Sequence, residues 1–389
     1  MDLLINVTQP YAWGSRTAIA QLSGRPQASQ PEAELWMGAH PRAPSRVVEG
    51  NEERSLLDLI AAAPEALLGQ RLLSRFGPRL PFLLKVLAAE TPLSLQAHPN
   101  LEQARAGYAS EEARGVPLDA PERNYKDPNH KPELICALEP FHALVGFRAV
   151  PETLRLFAPL AIERLAPMLS LLETADLQSF FEAVMTSPPE LRGELAAATL
   201  SACRSRQSGP FAAEYAWAAR LGSLYPGDVG IVIALCLNLV TLSAGQALYL
   251  PAGNLHAYLQ GVGVEIMASS DNVLRGGLTP KHVDVAELLS VLDFSAGPVQ
   301  PLEAALQGHE RVFHTPAPEF RLSYFDLDGK LTPERSDGPE ILLVTGGSAL
   351  LRSGDRELCV PAGGSVLIRA SDPAYEIGGS GRVFRAMAA

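Results

Sequence analysis

The first 150 residues alternate between short apolar runs and turn residues, a pattern typical of strands joined by loops. Residues 82–87 and 133–138 are the clearest predicted strands, and only Lys85 interrupts the first of them. An ammonium group in a buried strand needs a partner. Lys85 is therefore predicted either to form an internal salt bridge or to face a site that holds phosphate or carboxylates. One helix is predicted in this region, over residues 55–73, with Ser55 as its N-cap.

Apolar residues take helical spacing between residues 151 and 227, where three helices are predicted. The first begins after Asp176, a residue type that caps helix N-termini. Strand-type patterns return after residue 227, and the apolar run over residues 229–240 is predicted to be a buried strand. The chain is therefore predicted to be mainly β with a helical insertion.

The end of the chain repeats one feature of the β region. Residues 360–364, Val-Pro-Ala-Gly-Gly, resemble residues 250–254, Leu-Pro-Ala-Gly-Asn, and both follow a β-type run. A second jelly-roll-like barrel is therefore predicted. We expect it to be metal-free, because no histidine lies near the second copy. The predicted domains are a first barrel from residues 1–150 and 228–300, an α-helical domain at residues 151–227, and the second barrel at residues 301–389.

Composition narrows the functional classes. A chain of 389 residues is long enough for two or three domains, and 47% apolar content is typical of a soluble globular protein. The net charge of −11 argues against non-specific nucleic-acid binding. The N-terminus has no secretory signal pattern and no run is long enough to span a bilayer, so we expect no membrane association. Four widely spaced cysteines without a Cys-x-x-Cys pair indicate reduced thiols in a cytoplasmic protein.

Three polar stretches carry candidate metal ligands. Gln96 and His98 are two residues apart, so on a strand they point to the same face. Glu133 stands at the mouth of a predicted strand, and His256 comes from far along the chain. Any one of these residues alone would more often be structural. Together, an amide oxygen, a carboxylate and two imidazoles would form a nitrogen and oxygen site for a borderline divalent cation.

These stretches belong to a series of motifs that runs from the N-terminus to about residue 285. In chain order the series comprises residues 11–15 (Tyr-Ala-Trp-Gly-Ser), 33–38 (Ala-Glu-Leu-Trp-Met-Gly), 81–85 (Pro-Phe-Leu-Leu-Lys), 93–100, 129–133, 249–258 and 265–281. The series resembles type I mannose-6-phosphate isomerase, a zinc-dependent family with a cupin fold. The resemblance implies a cupin fold for the catalytic part. With the second predicted barrel, the expected architecture is two cupin-type jelly-roll barrels, one catalytic and one C-terminal. It also implies a reversible isomerisation of D-mannose 6-phosphate and D-fructose 6-phosphate.

The same resemblance implies one Zn²⁺ per chain, with four ligands: Gln96, His98, Glu133 and His256. With one anionic ligand the ion keeps a net charge of about +1. It can then stabilise negative charge on an enediol oxygen while a proton moves between C1 and C2. A proton-transfer group near those carbons needs a pKa tuned to the working pH. The resemblance places these residues in catalysis: Lys131 and His130 as candidate bases, Asp271 as a partner of His130, and Arg275 at the developing oxyanion or the sugar.

Substrate contacts complete the predicted site. The phosphate needs cations or hydroxyl donors at some distance from the metal. The predicted substrate-binding residues are Ser94, Lys85 and Lys281 for the phosphate, with Glu265 and Trp13 at the sugar pocket. Glu265 is expected on the strand beside that of His256, where it would orient a lysine or a ligand. Two alternatives stay open: Arg275 could form a domain-interface ion pair, and core packing explains Trp13 equally well. His40 is expected to be structural.

Three alternative functions also stay open. A cupin-type oxygenase binds metal through His and Glu as well, usually through a His-x-His pair that favours iron, whereas Gln96 stands in place of the first histidine. A sugar-phosphate sensor would keep the pocket and lose the proton-transfer groups. An isomerase for a different sugar phosphate would share the metal chemistry. We further expect a monomer that acts on a small-molecule sugar phosphate, in mannose catabolism or GDP-mannose synthesis.

Overall fold

The computed structural model describes residues 1–49, 52–334 and 338–389. The first part contains β1 (Asp2–Leu3), β2 (Val7–Gln9), α1 (Ala18–Leu22), β3 (Glu34–Met37), β4 (Arg46–Glu49), β5 (Glu52–Ser55), α2 (Leu56–Ala62), α3 (Pro64–Phe76), β6 (Phe82–Ala89), β7 (Leu95–Ala97), α4 (Leu101–Ala113), β8 (Glu133–Ala137) and β9 (Phe141–Phe147). The helical part contains α5 (Val150–Phe157), α6 (Ala166–Glu173), α7 (Leu177–Met185), α8 (Pro189–Arg204), α9 (Ala212–Leu224) and α10 (Gly230–Leu235), with short 3₁₀ turns at Ala158–Leu160 and Glu163–Leu165.

The remaining elements return to β structure. They are β10 (Leu237–Leu242), β11 (Ala247–Leu250), β12 (His256–Ala268), β13 (Leu274–Gly277), α11 (Val285–Val291), β14 (Ala305–Gln307), β15 (Glu310–Phe313), β16 (Arg321–Asp328), β17 (Thr332–Glu334), β18 (Glu340–Ser353), β19 (Arg356–Pro361), β20 (Ser365–Ile368) and β21 (Tyr375–Met387). The helices α5 to α10 lie between strands β9 and β10 of one sheet. The predicted mainly β fold with a helical insertion is thereby confirmed.

Two large sheets carry the described part of the fold. Ten strands form the first, with a main path β10-β9-β12-β6-β3-β2. Nine strands form the second, with a main path β1-β20-β18-β21-β16-β15-β14. The N-terminal strand β1 thus belongs to the C-terminal sheet, where Asp2 pairs with Leu367. One apolar cluster joins the two sheets and includes Phe82 from the first and Phe320 from beside the second.

The 13-residue strand β12 organises the first sheet. Its N-terminal half pairs with β7 and β9, and its C-terminal half pairs with β6 and β8. Gly261 lies between the halves with φ +131°, and a Cβ there would come within 2.8 Å of the Phe141 backbone. With glycine at this position, the two halves of β12 can pair with different neighbouring strands. Glu265 was expected on the strand beside that of His256, which is wrong, since β12 carries both residues.

Two predictions about local structure are corrected. Residues 230–235 form α10 instead of a strand. All six residues are buried, and α10 packs against α8 and α9. An apolar run buried on every side has neither a helical nor a strand period. The helix predicted over residues 55–73 is two helices, since Pro64 has no N–H and begins α3. Ser55 caps α2 as predicted and accepts a hydrogen bond from the Asp58 N–H at 3.1 Å.

The predicted domain limits stay predictions, and α10 extends the helical run beyond residue 227. Among the helices of the described residues, not one has both the length and the apolar character needed to cross a membrane.

Candidate metal centre

Three of the predicted ligands lie close together at the ends of strands in the first sheet. His98 directly follows β7, Glu133 begins β8 and His256 begins β12, and all three side chains are buried. The Nε2 atoms of His98 and His256 each lie 3.5 Å from a Glu133 carboxylate oxygen, one on each oxygen. The ligand atoms of the three residues all lie within 4.8 Å of one another. Four zinc ligands at 2.0–2.1 Å in a tetrahedron lie roughly 3.4 Å apart, so these separations fit one ion.

Backbone carbonyls fix both imidazole rings. The Nδ1 of His98 lies 2.7 Å from the Asn272 carbonyl oxygen, and the Nδ1 of His256 lies 2.9 Å from the Asn254 carbonyl oxygen. A carbonyl only accepts, so each Nδ1 carries a proton, and in the neutral ring Nε2 is then the atom that presents a lone pair. Burial, followed by the nearby charge of Lys131, lowers the pKa of His98 to about 4. The His98 ring is therefore neutral at physiological pH.

The inward-facing atoms lack hydrogen-bond partners. In the described part of the chain, His98 Nε2, His256 Nε2 and Glu133 Oε2 are buried without one. Three buried acceptors that face each other are costly unless a cation lies between them. The donor set and its geometry therefore fit a bound divalent metal ion.

Gln96 lies next to this group through strand register. Its Cα pairs with that of His256 on β12 and with that of Arg275 on β13. Directly opposed residues of adjacent strands project to the same face of a sheet. The backbone thus places Gln96 between His256 and Arg275, on the same face of the sheet as their side chains.

The buried carboxylate of Glu133 is held in its anionic form. Lys131, also buried, places its Nζ 2.8 Å from Glu133 Oε1. Burial alone would raise the pKa of Glu133, but Lys131 and the two imidazoles hold it well below its usual range. The ligand therefore carries a full negative charge, and Lys131 is in direct contact with it.

Lys85 lies in an internal ion cluster. Its Nζ is 2.9 Å from Glu265 Oε2 and 3.7 Å from Glu34 Oε1, and Trp36 Nε1 donates to Glu34 Oε2 at 2.7 Å. Burial alone would lower the pKa of Lys85, but Glu265 and Glu34 raise it. The internal salt bridge is therefore the observed arrangement, and Glu265 contacts a lysine as expected.

Lys281 lies near two other cations, Arg275 and Arg42. The Arg275 side chain is half-buried, and among the residues that the structure describes it has no hydrogen bond or ion pair. Burial lowers the pKa of Arg275, and it also lowers the pKa of Lys281, to which the charges of Arg275 and Arg42 add. Lys281 is thus close enough to Arg275 and Arg42 to be repelled by each of them. Among the described residues, the expected alternative of a domain-interface ion pair for Arg275 is not observed.

The expected pairing of His130 with Asp271 is wrong. Asp271 accepts a hydrogen bond from Arg42 at 2.7 Å and lies 3.4 Å from His40 Nε2. The Nε2 of His130 lies 2.7 Å from Glu319 Oε1. Asp271 therefore pairs with Arg42 and His40, and His130 pairs with Glu319 from the C-terminal part of the chain. His40 is buried beside Trp36, in keeping with its expected structural role.

Two other predicted substrate contacts are partly buried. Ser94 lies just before β7, and Trp13 stacks on Tyr11 with the ring centroids 5.8 Å apart. The structure brings neither side chain into hydrogen-bond contact with the metal ligands.

Sequence reasoning missed two residues that hold the site together. The buried Asn272 side chain accepts from the backbone N–H groups of Lys126 and Asp127, at 2.7 and 3.2 Å. It also donates to the backbone carbonyls of Asp127 and Asn129, at 2.7 and 2.8 Å. A polar Asp-Asn pair after an apolar strand was the available signal. Glu319, the partner of His130, had none, since 189 residues separate the two.

Comparisons with known proteins point to one family. Residues 1–150 match the family model described as phosphomannose isomerase type I, catalytic domain. The mannose-6-phosphate isomerase of Escherichia coli is 43% identical over 362 residues, which cover 92% of this chain and 91% of the relative. The Homo sapiens mannose-6-phosphate isomerase is 35% identical over 379 residues, with coverage of 88% and 86%.

Solved structures give the same result. The chain is similar to a mutant phosphomannose isomerase from Salmonella typhimurium, with a TM-score of 0.94, 40% identity and coverage of 100% of this chain and 99% of the other. It is similar to a zinc-bound mannose 6-phosphate isomerase with a TM-score of 0.93, 40% identity and the same coverage.

Proposed function

The chain belongs to the type I mannose-6-phosphate isomerase family, and we propose that it is a zinc-dependent enzyme that interconverts D-mannose 6-phosphate and D-fructose 6-phosphate. The observation that carries the proposal is the buried group of unpartnered acceptors on His98, Glu133 and His256. With Gln96 these residues would hold the ion. When bound, zinc supplies Lewis-acid polarisation of a sugar oxygen.

Three ligands are neutral and one is anionic, which suits this chemistry. Glu133 brings one negative charge, while His98 is neutral and Gln96 has no charge to bring. With zinc bound, these residues would leave the site with a net positive charge, which would stabilise a developing negative charge on a sugar oxygen.

We assign the proton transfer between C1 and C2 to Lys131. Its Nζ is buried and already lies 2.8 Å from a metal ligand, so it can reach a sugar bound at the metal. Proton-transfer groups must lie within hydrogen-bond reach of the carbon that they serve. His130, the adjacent residue, stays the candidate for ring opening. Its contact with Glu319 makes it a less direct choice for the C1–C2 step.

Arg275 and Lys281 form the other end of the proposed pocket. Arg275 lies beside Gln96 in strand register, and its guanidinium has no partner among the described residues, so it is available to the developing oxyanion or the sugar. Lys281 is exposed and lies close to Arg275, which suits a phosphate at the rim. Ser94 would add a hydroxyl donor. Lys85 has two carboxylates around it, and we assign it to the pocket wall in place of the phosphate site.

The substrate and the reaction type are tested together. Zinc-loaded protein would be offered mannose 6-phosphate, unphosphorylated mannose and other aldose phosphates, with an oxygen electrode in the same vessel. We expect turnover of mannose 6-phosphate alone and no oxygen uptake. Turnover of another sugar phosphate in its place would refute the substrate, and oxygen consumption would support an oxygenase instead.

The enediol step has its own test. In D₂O, proton transfer through an enediol places solvent deuterium at C1 of part of the fructose 6-phosphate, which NMR detects. Product free of deuterium after many turnovers would indicate a hydride shift. The supply of mannose 6-phosphate to catabolism or to GDP-mannose synthesis, the cytoplasmic location and the monomeric state stay predictions from the sequence.

A further inference from the structure

The loop over residues 124–132 carries the proposed proton-transfer groups and is held by several side chains. Asn272 binds the loop backbone. Nearer the end of the loop, Glu319 Oε1 lies 2.7 Å from His130 Nε2, and Arg79 donates to Asn129 Oδ1 at 2.9 Å. Glu319 lies between β15 and β16, so the C-terminal part of the chain reaches into the catalytic region at this point.

The segment that carries Glu319 is fixed to the catalytic sheet. Its neighbours Ala317 and Phe320 are buried in the same apolar cluster as Phe82 and Leu134. The Glu319 side chain is only 13% exposed, and that of His130 is 22% exposed. Burial alone would raise the pKa of Glu319, but His130 lowers it, so the group is a carboxylate. A charged acceptor on a packed segment gives the His130 ring a defined position.

We propose that Glu319 is a positioning residue for the isomerisation, which fixes the His130 ring and thereby holds the next residue, Lys131, against Glu133. The inference rests on the proposed function. Lys131 is adjacent in sequence to His130 and makes its 2.8 Å contact with Glu133 from the same stretch of loop. Displacing a reacting group by about 1 Å can cost about 100-fold in rate. The C-terminal domain thereby contributes to the reaction without touching the substrate.

Three substitutions of Glu319 separate the effect of its hydrogen-bond position from the effect of its charge. Glu319→Ala removes the acceptor, Glu319→Gln keeps an oxygen at the same reach, and Glu319→Asp keeps the charge on a side chain one methylene shorter. We expect kcat to fall about tenfold or more in the Ala and Asp variants. KM and zinc content are expected to stay close to wild type. The Gln variant should keep kcat within about threefold, since its amide oxygen restores the hydrogen bond.

A matched control comes from the same part of the chain. Glu357 pairs with Arg352 on the surface, with its side chain 56% exposed, and Glu357→Ala should leave kcat unchanged. A double-mutant cycle then tests whether Glu319 acts through His130. If Glu319 acts through His130, then Glu319→Ala should change kcat by less than about twofold in a His130→Ala background.

The inference is overturned if Glu319→Ala matches Glu357→Ala in kcat, or if its effect is fully additive with that of His130→Ala. If the Ala variant does not fold, the Asp and Gln variants decide. A lower kcat for Asp than for Gln supports the inference, and the reverse order or equal values overturn it. An inactive wild-type enzyme with zinc bound would refute the proposed function itself, so the two failures are distinguishable.

Discussion

Asn272 offers the most informative single substitution, because its side chain binds the loop over residues 124–132 and its carbonyl oxygen lies 2.7 Å from His98 Nδ1. Asn272→Ala removes four hydrogen bonds between 2.7 and 3.2 Å, all to loop backbone groups. At about 1 kcal/mol for each bond, the free energy of unfolding should fall by roughly 2–4 kcal/mol, since some of the freed groups can bind water. The loop carries Lys131, so we expect kcat to fall at least about tenfold.

Two further variants sharpen this prediction. Asn272→Asp keeps the oxygen that accepts from Lys126 and Asp127, but it replaces the donor with an acceptor that faces two carbonyl oxygens. It should destabilise the protein at least as much as Asn272→Ala. The control is Asn6→Ala, which removes two hydrogen bonds far from the loop, to Ser365 at 2.7 Å and from Ser45 at 2.8 Å. We expect a loss of about 1–2 kcal/mol and an unchanged kcat.

The assay is urea unfolding of the zinc-loaded enzyme followed by tryptophan fluorescence, together with kcat for mannose 6-phosphate. The reasoning is refuted if Asn272→Ala keeps kcat within about twofold of wild type. It is also refuted if the variant loses less stability than Asn6→Ala.

Two other substitutions test the charges around the site. Lys85→Met leaves the Glu265 and Glu34 carboxylates buried without their cation, so unfolding should become easier by about 3–5 kcal/mol. The control Lys330→Met, at a side chain 85% exposed, should have no measurable effect in the same denaturant titration, and equal losses would contradict the argument. Arg275→Gln should lower kcat by about 100-fold or more. Since the Arg275 side chain has no partner among the described residues, the melting temperature of the Arg275→Gln protein should not fall. A clear loss of stability would reveal a structural role for Arg275 instead.

The family, the fold class and the enzyme class could be predicted from the sequence, and the comparisons confirm them. His98, Glu133 and His256, the group that could hold a metal ion, were recognisable because their chemistry is local: each stands at the end of a β-type run in a polar stretch. Strand alternation then places such residues on a common face. The roles of the remaining site residues stay predictions.

The errors came from information that the local pattern does not contain. Residues 230–235 are apolar throughout, so their pattern has neither a helical nor a strand period, and they form α10 packed against α8 and α9. Asp271 and His130 were paired by motif, but Arg42 and Glu319 compete for them across 229 and 189 residues of sequence. Choices of this kind depend on the assembled fold, because each partner is one of several nearby groups of suitable charge.

The proposed catalytic metal site has four ligands and holds one ion. Its most direct test is the rate of mannose 6-phosphate conversion as chelator-treated protein is titrated with Zn²⁺. Metal-free protein is expected to be inactive, and activity is expected to rise linearly and to saturate at one zinc per chain. Full activity in metal-free protein, or fully loaded protein without activity, would contradict it.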